Sequence, residues 1–71
     1  MNNLQNQCDF INDIIDGCGV VAVVRDGVLA WCEVRAGVQY PVTQKRAFRK
    51  LVQGGYNTKA TVEYAQSKFP N

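Results

Sequence analysis

The dipeptide Asp26-Gly27, placed between two runs of β-branched residues, constrains the fold of this chain more than any other feature. Val20–Arg25 precedes it and Val28–Arg35 follows it. Asp-Gly is typical of a type I′ turn, because both central residues of that turn need a positive φ. The segment therefore predicts two antiparallel strands joined by a two-residue loop.

A second tight turn at Ala36-Gly37 predicts a third strand over Val38–Val42. Pro41 within that strand has no backbone N–H, so the strand is expected at an edge of the sheet. The three strands together predict an antiparallel β-meander.

The predicted register sorts the strand residues into two faces, and both faces are apolar. One face collects Val21, Val23, Val28, Ala30, Cys32 and Val34; the other collects Val20, Ala22, Val24, Leu29 and Trp31, joined by Val38, Tyr40 and Val42. An antiparallel sheet with one face in water normally alternates apolar with polar residues. Either helices cover both faces, or one face is kept for a partner.

Amphipathic segments on both sides of the meander predict helices. Leu4–Ile15 has an apolar stripe at helical spacing, and glycines end it. Thr43 is a suitable N-cap for a helix over Gln44–Gln53. We place its inner face at Ala47, Phe48, Leu51 and Val52. A last helix is expected from Thr58 to Phe69, with Val62, Ala65 and Phe69 inward.

The sequence thus predicts an α+β fold of order α-β-β-β-α-α, in a single small globular domain spanning residues 1–71. A domain of this size buries only about 60% of the surface that its unfolded chain exposes. Its stability is marginal, and a homodimer or a bound partner would add support.

Four cations lie on one side of the predicted helix 44–53: Lys45, Arg46, Arg49 and Lys50. Such a concentration is unexpected in a chain with a net charge of only +2. Like charges at these spacings cost roughly 0.2–0.5 kcal/mol per pair, whereas a phosphate backbone or an acidic protein surface would reward them. A solvated face, or one paired with Glu33 and the aspartates of the first helix, is the alternative.

Two nucleic-acid-binding arrangements share features with this segment. Residues 44–69 have the outline of a helix-turn-helix, but the second helix offers few side chains to read bases, and two helices folded over a sheet explain the same segment. The α-β-β-β-α order also resembles the double-stranded RNA-binding domain, in which basic residues open the second helix, where Lys45 and Arg46 stand here. The resemblance covers topology alone, since Thr43-Gln44-Lys45-Arg46-Ala47-Phe48 departs from that family's Ser-Lys-Lys-x-Ala-Lys pattern.

A second candidate binding surface is the sheet face with Leu29, Trp31 and Tyr40. Tryptophan and tyrosine are favoured anchors of protein interfaces because they bury much area at a small entropy cost. The alternative is that Trp31 anchors the core beneath a helix.

A third candidate is the acidic stripe Asp9, Asp13 and Asp16 on the first helix. It could contact a basic protein surface, or it could be a solvated helix face. Residues 1–24 contain no lysine or arginine, so the N-terminal part is acidic and the C-terminal part basic.

The residue types that most enzymes and metal sites need are scarce. There is no histidine, and the cysteines Cys8, Cys18 and Cys32 are odd in number and widely spaced. We expect no disulfide framework, no metal site and no cofactor, with the thiols acting as small apolar side chains. Because no base lies near a nucleophile in the sequence, we also expect no enzyme activity.

The sequence therefore predicts a non-catalytic binding protein that occupies a surface of another protein or protein complex. The alternative is a nucleic-acid-binding protein that uses the basic helix 44–53.

No apolar stretch approaches the ~20 residues that span a bilayer, and no secretory signal opens the sequence. We expect a cytoplasmic protein without membrane contact. A protein of this size would suit an accessory role, such as a phage-type inhibitor of a host complex.

Overall fold

The computed structural model describes residues 3–70, and its helices and strands follow the predicted α-β-β-β-α-α order. The elements are α1 (Asn3–Ile14), β1 (Val20–Arg25), β2 (Val28–Arg35), β3 (Val38–Val42), α2 (Gln44–Gln53) and α3 (Thr58–Lys68). The strands form one antiparallel sheet in the order β1-β2-β3. This confirms the α+β fold class, and each predicted helix boundary agrees within one residue.

Both hairpin turns have the backbone that their sequences predict. Asp26 and Gly27 have φ values of 53° and 76°, and Ala36 and Gly37 have 50° and 77°. Two consecutive positive φ angles are what a type I′ turn requires. Ala36 lowers the stability of its turn, because the β-carbon disfavours a positive φ, whereas glycine adopts it freely.

The helices after the sheet begin at side-chain caps. Thr43 Oγ1 accepts a hydrogen bond from Arg46 N at 3.2 Å, and Asn57 Oδ1 accepts one from Ala60 N at 3.3 Å. Each cap satisfies a backbone N–H that has no partner inside the helix. Within residues 3–70, no helix is long and apolar enough to cross a membrane.

The core lies between the helices and one face of the sheet. Its strand residues are Val20, Ala22 and Trp31, each at most 3% exposed. All three helices contribute to the same cluster: Cys8 and Ile11 from α1, Ala47 and Leu51 from α2, and Ala65 from α3. Ile15, just after α1, completes it. The helices therefore cover a single face of the sheet.

Helix α2 meets the core along a narrower stripe than the sequence predicts. Ala47 and Leu51 are fully buried, and Phe48 packs edge-on against Trp31 with ring centroids 5.5 Å apart. Val52 is 63% exposed, so its predicted inward position is wrong. It lies about 100° around the helix from Leu51, which takes it past the edge of the contact with the sheet.

The first and last helices are joined by polar contacts near their ends. Gln7, which is 2% exposed, donates a hydrogen bond from Nε2 to the Phe69 carbonyl oxygen at 2.6 Å. Asn3 Nδ2 donates to the Pro70 carbonyl oxygen. The Lys68 ammonium lies 5.1 Å from the centroid of the Phe10 ring. Helix α3 thus packs mainly on α1.

Both edges of the sheet are blocked against the addition of another strand. On β1, the side-chain amide of Asn12 donates to the Ala22 carbonyl oxygen at 2.9 Å and accepts from the Ala22 N–H at 2.7 Å. The Cys18 thiol lies 3.6 Å from the Val20 carbonyl oxygen. On the opposite edge, Pro41 in β3 has no N–H to offer, as predicted.

Candidate binding surfaces

Among residues 3–70, Glu33 in β2 has the only buried carboxylate, and it organises the basic residues around it. Its side chain is only 2% exposed. Arg46 Nε donates a hydrogen bond to Glu33 Oε2, while Lys50 Nζ and Arg35 Nε lie 3.7 Å and 3.5 Å from Oε1. Two of these cations come from α2 and one from β2, so the ion cluster joins the helix to the sheet.

These contacts favour the charged form of Glu33. The hydrogen bond from Arg46 lowers the pKa of Glu33 below its ordinary value, and the charges of Arg46, Lys50 and Arg35 act in the same direction. Burial opposes them, but the hydrogen bond is the larger effect. The same bond raises the pKa of Arg46. Glu33 is therefore a permanent internal counterion for this cluster at neutral pH.

The four cations of α2 divide into two pairs with different surroundings. Arg46 and Lys50 reach Glu33, so the Glu33 half of the alternative pairing is present, whereas the aspartates of the first helix take no part in it. Lys45 and Arg49 are exposed and form no ion pair within residues 3–70. They lie one helical turn apart, about 6 Å along the axis. These two charges are available to a partner without disturbing the fold.

The sheet extends this charged region beyond the helix. Arg35 in β2 is 60% exposed, and its guanidinium carbon lies 4.8 Å from the centroid of the Tyr40 ring in β3. Tyr40 itself is 43% exposed. We call the whole region the basic surface; it consists of Arg35, Tyr40, Lys45, Arg46, Arg49 and Lys50. Three of its five cations contact a carboxylate that solvent hardly reaches, so a partner meets positive charge.

The second face of the sheet has no helix on it. By register it contains Val21, Val23, Arg25, Val28, Ala30, Cys32, Val34, Gln39 and Pro41, and we call it the uncovered face. None of these residues belongs to the core cluster or packs against it. Val28 is 59% exposed, and Val21, Val23, Ala30 and Val34 are half-buried by their neighbours alone. The predicted apolar composition of this face is confirmed, and of the two arrangements left open by the sequence, the structure has the one in which helices cover a single face.

Arg25 is the only charged side chain of the uncovered face. Its Nη2 atom lies 3.4 Å from the Cys32 sulfur, which places the guanidinium over the middle strand. Cys32 is 1% exposed although no helix covers it. Within residues 3–70, Arg25 has no acidic partner. An apolar face thus presents a single cation that lacks a counter-charge.

The sheet surface predicted from Leu29, Trp31 and Tyr40 is not assembled as an exposed patch. Trp31 is 3% exposed and packs under α2, and half-buried Leu29 packs against the same core. Only Tyr40 remains accessible, because it lies on the edge strand beyond the helices.

The acidic residues of α1 and of the turn that follows it stay separate from the basic surface. Asp9, Asp13 and Asp16 are all exposed, and Asp9 Oδ1 accepts a hydrogen bond from Gln5 Nε2 at 2.9 Å. In the described part of the chain, none of the three forms an ion pair with a lysine or arginine. The alternative in which this stripe pairs with the basic helix is not what the structure shows within one molecule.

The three cysteines are free thiols. Burial raises the pKa of the Cys8 thiol, and the nearby charge of Asp9 adds to this effect. A raised pKa keeps this thiol neutral and unreactive. Residues 3–70 contain no group of three or more cysteine, aspartate or glutamate side chains placed to hold a metal ion.

Sequence reasoning found the α2 cations and named Glu33 as a possible partner for them, but it overlooked Arg35 and Arg25 as parts of these surfaces. A signal for Glu33 was present, because it alternates with Trp31 on β2 and therefore shares its face. An acid on the core side of an apolar strand needs a cation facing it.

Comparison with known proteins found no relative: the chain matches no protein-family model, no curated protein and no solved structure.

Proposed function

We propose that this chain is a non-catalytic binding protein that occupies a surface of a partner protein through its uncovered face. The observation that carries the proposal is the placement of all three helices on one side of an apolar sheet. In a sheet with one face in water, strand residues normally alternate, so that the solvated face is polar. Here the outward residues of β1 and β2 are apolar apart from Arg25.

The size of the uncovered face indicates the kind of interface it would form. Three strands spaced about 4.8 Å apart, each about 20 Å long, present roughly 300 Å² of flat sheet. A standard interface takes about 800 Å² from each partner. The uncovered face would therefore be the apolar centre of an interface, with a rim of polar residues from its border.

Arg25 indicates the chemistry of the partner. A cation at the centre of an interface needs an acceptor, since an unpaired charge that loses its water is costly. The partner is then a protein whose contact surface is apolar and offers one carboxylate to Arg25. A strand added at the sheet edge is not the mode of binding, because Asn12 and Pro41 block the two edges.

The experiment uses a pair of matched substitutions at two exposed valines. Val28 on the uncovered face is 59% exposed, and Val52 on α2 is 63% exposed. Tagged wild-type protein, Val28→Glu, Arg25→Glu and Val52→Glu are compared by affinity capture from a cell lysate, with quantitative mass spectrometry. We expect a protein that wild type and Val52→Glu retain equally, and that Val28→Glu and Arg25→Glu lose.

Three results would contradict the proposal. The first is a partner that wild type and all three variants retain equally. The second is a partner that only Val52→Glu fails to retain. The third is a homodimer in light scattering that Val28→Glu dissociates, since a second copy would then occupy the face. Far-UV circular dichroism of each variant establishes that it is folded.

A further inference from the structure

The basic surface has the features of a phosphate-binding site, and we propose that it binds single-stranded nucleic acid without base specificity. It lies on the helical side of the sheet, opposite to the uncovered face. The two proposals therefore concern different residues, and either can fail alone.

The charge of the basic surface is both high and ordered. The surface has five cations and one carboxylate, which three of the cations contact; that carboxylate is 2% exposed, so its negative charge adds little to what a ligand meets. Glu33 also restricts the side chains of Arg46, Lys50 and Arg35 before any ligand arrives. A cation that is already positioned loses less conformational entropy on binding than a free one.

The kinds of cation favour phosphate. Three of the five are arginines, whose planar forks match phosphate oxygens in two-point hydrogen bonds. Lys45 and Arg49 have no partner in the described chain, so phosphates can replace solvent around them without breaking an ion pair. Release of the counterions condensed on a nucleic acid would then drive binding.

The cation–π pair of Arg35 and Tyr40 favours a single strand. The guanidinium lies 4.8 Å from the ring centroid, and both side chains are well exposed. Bases stack on aromatic rings and on arginine planes, which is how many proteins hold single strands. In a duplex the bases are already stacked on each other. An acidic protein surface would pair with the cations but would gain no base stacking from Arg35 and Tyr40.

Fluorescence anisotropy tests this proposal with a labelled mixed-sequence DNA strand of about 12 nucleotides, and with the duplex that it forms with its complement. Contact of all five cations with phosphates gives a slope of about −3.5 for the logarithm of the association constant against the logarithm of salt concentration. Binding would then weaken about 100-fold between 50 and 200 mM salt.

The double variant Lys45→Glu/Arg49→Glu removes two phosphate contacts and leaves the Glu33 ion cluster intact. We expect weaker binding at every salt concentration and a slope of about −2. Lys59→Glu/Lys68→Glu on α3 is the matched control, because it changes the net charge by the same amount at two exposed sites. This control should keep the wild-type slope. Tyr40→Leu should weaken single-strand binding at least about fivefold.

The proposal is overturned if the strand does not bind at 50 mM salt, or if both double variants weaken it equally. Equal loss would show that overall charge attracts the strand and that no particular surface holds it. Duplex binding as tight as single-strand binding, unaffected by Tyr40→Leu, would also overturn the single-strand assignment. Reversal of Arg46 is unsuitable for this test, because it would place a second carboxylate against buried Glu33.

Discussion

The packing of α2 on the sheet predicts opposite outcomes for truncation of two adjacent residues. Leu51 is fully buried and Val52 is 63% exposed. Leu51→Ala removes three carbon atoms, worth about 2.4 kcal/mol at about 0.8 kcal/mol for each, and a cavity adds to this cost. We expect a total loss of about 2–5 kcal/mol in the free energy of unfolding. Val52→Ala should change it by no more than about 0.5 kcal/mol.

The loss from Leu51→Ala is large for a chain of 71 residues, whose whole stability is about 4–11 kcal/mol by the usual value per residue. Urea unfolding followed by the fluorescence of Trp31 measures the loss directly. Trp31 is the only tryptophan, and it is buried against α2. Thermal unfolding should show a melting temperature at least about 10 °C lower.

Equal effects of the two substitutions would refute this reasoning. If Val52→Ala destabilised the protein as much as Leu51→Ala, both side chains would lie in the core, and α2 would be rotated relative to the sheet. The urea m-value serves as the control, since an unchanged m-value shows that the variants unfold from similarly compact states.

Two further predictions concern the ion cluster and the second turn. Because the pKa of Glu33 is lowered in the fold, its contribution to stability is complete above the ordinary value of 4.5 and is lost as the pH falls through the lower folded value. At pH 7, wild type should therefore unfold at a higher urea concentration than Glu33→Gln. This difference in the urea midpoint should shrink below about pH 4.5. A difference in midpoint that stays constant with pH would contradict the charge pairing. Ala36→Gly should stabilise the protein by about 1 kcal/mol, because Ala36 has a φ of 50°, and Gly37→Ala should destabilise it by about 1–2 kcal/mol at a φ of 77°. Thermal melts of the two variants that shift in the same direction would contradict the turn geometry.

The order of the fold could be predicted because its signals are local. Asp26-Gly27 and Ala36-Gly37 specify turns through the φ angles they permit, and Pro41 specifies an edge through its missing N–H. Thr43 specifies the start of α2 through a hydrogen bond three residues ahead. Each of these relations involves residues close in sequence, so no knowledge of the tertiary structure is needed.

The choice of sheet face could not be predicted by the same means. Strand alternation divides the residues into two sets, but both sets are apolar, and alternation does not say which one the helices cover. Helical spacing likewise placed Val52 next to Leu51 on the inner side, although the contact with the sheet is narrower than the apolar stripe. The basic helix was visible in the sequence, but its division into cations paired with Glu33 and free cations depends on a contact 13 residues away.

The functional predictions stand as proposals beside this fold. Binding to another protein, binding to nucleic acid, the absence of catalysis and the cytoplasmic location all stay predictions. The structure has changed which residues should be substituted to examine them. Lys45 and Arg49 are preferred to Arg46, which pairs with buried Glu33, and Val28 is preferred to Trp31, whose truncation would damage the core.

The hydrogen bonds that join α1 to the end of α3 have a consequence for the connectivity of the chain. Gln7 bonds to the Phe69 carbonyl and Asn3 to the Pro70 carbonyl, so residues at the two ends of the described chain lie side by side. A short flexible linker could join them, and the chain could then be opened elsewhere. The exposed Gly54-Gly55 segment between α2 and α3 is a suitable opening, since a break there crosses no strand pairing. Such a circular permutant would keep every contact between the helices and the sheet while reversing the order in which α3 and α1 are synthesised.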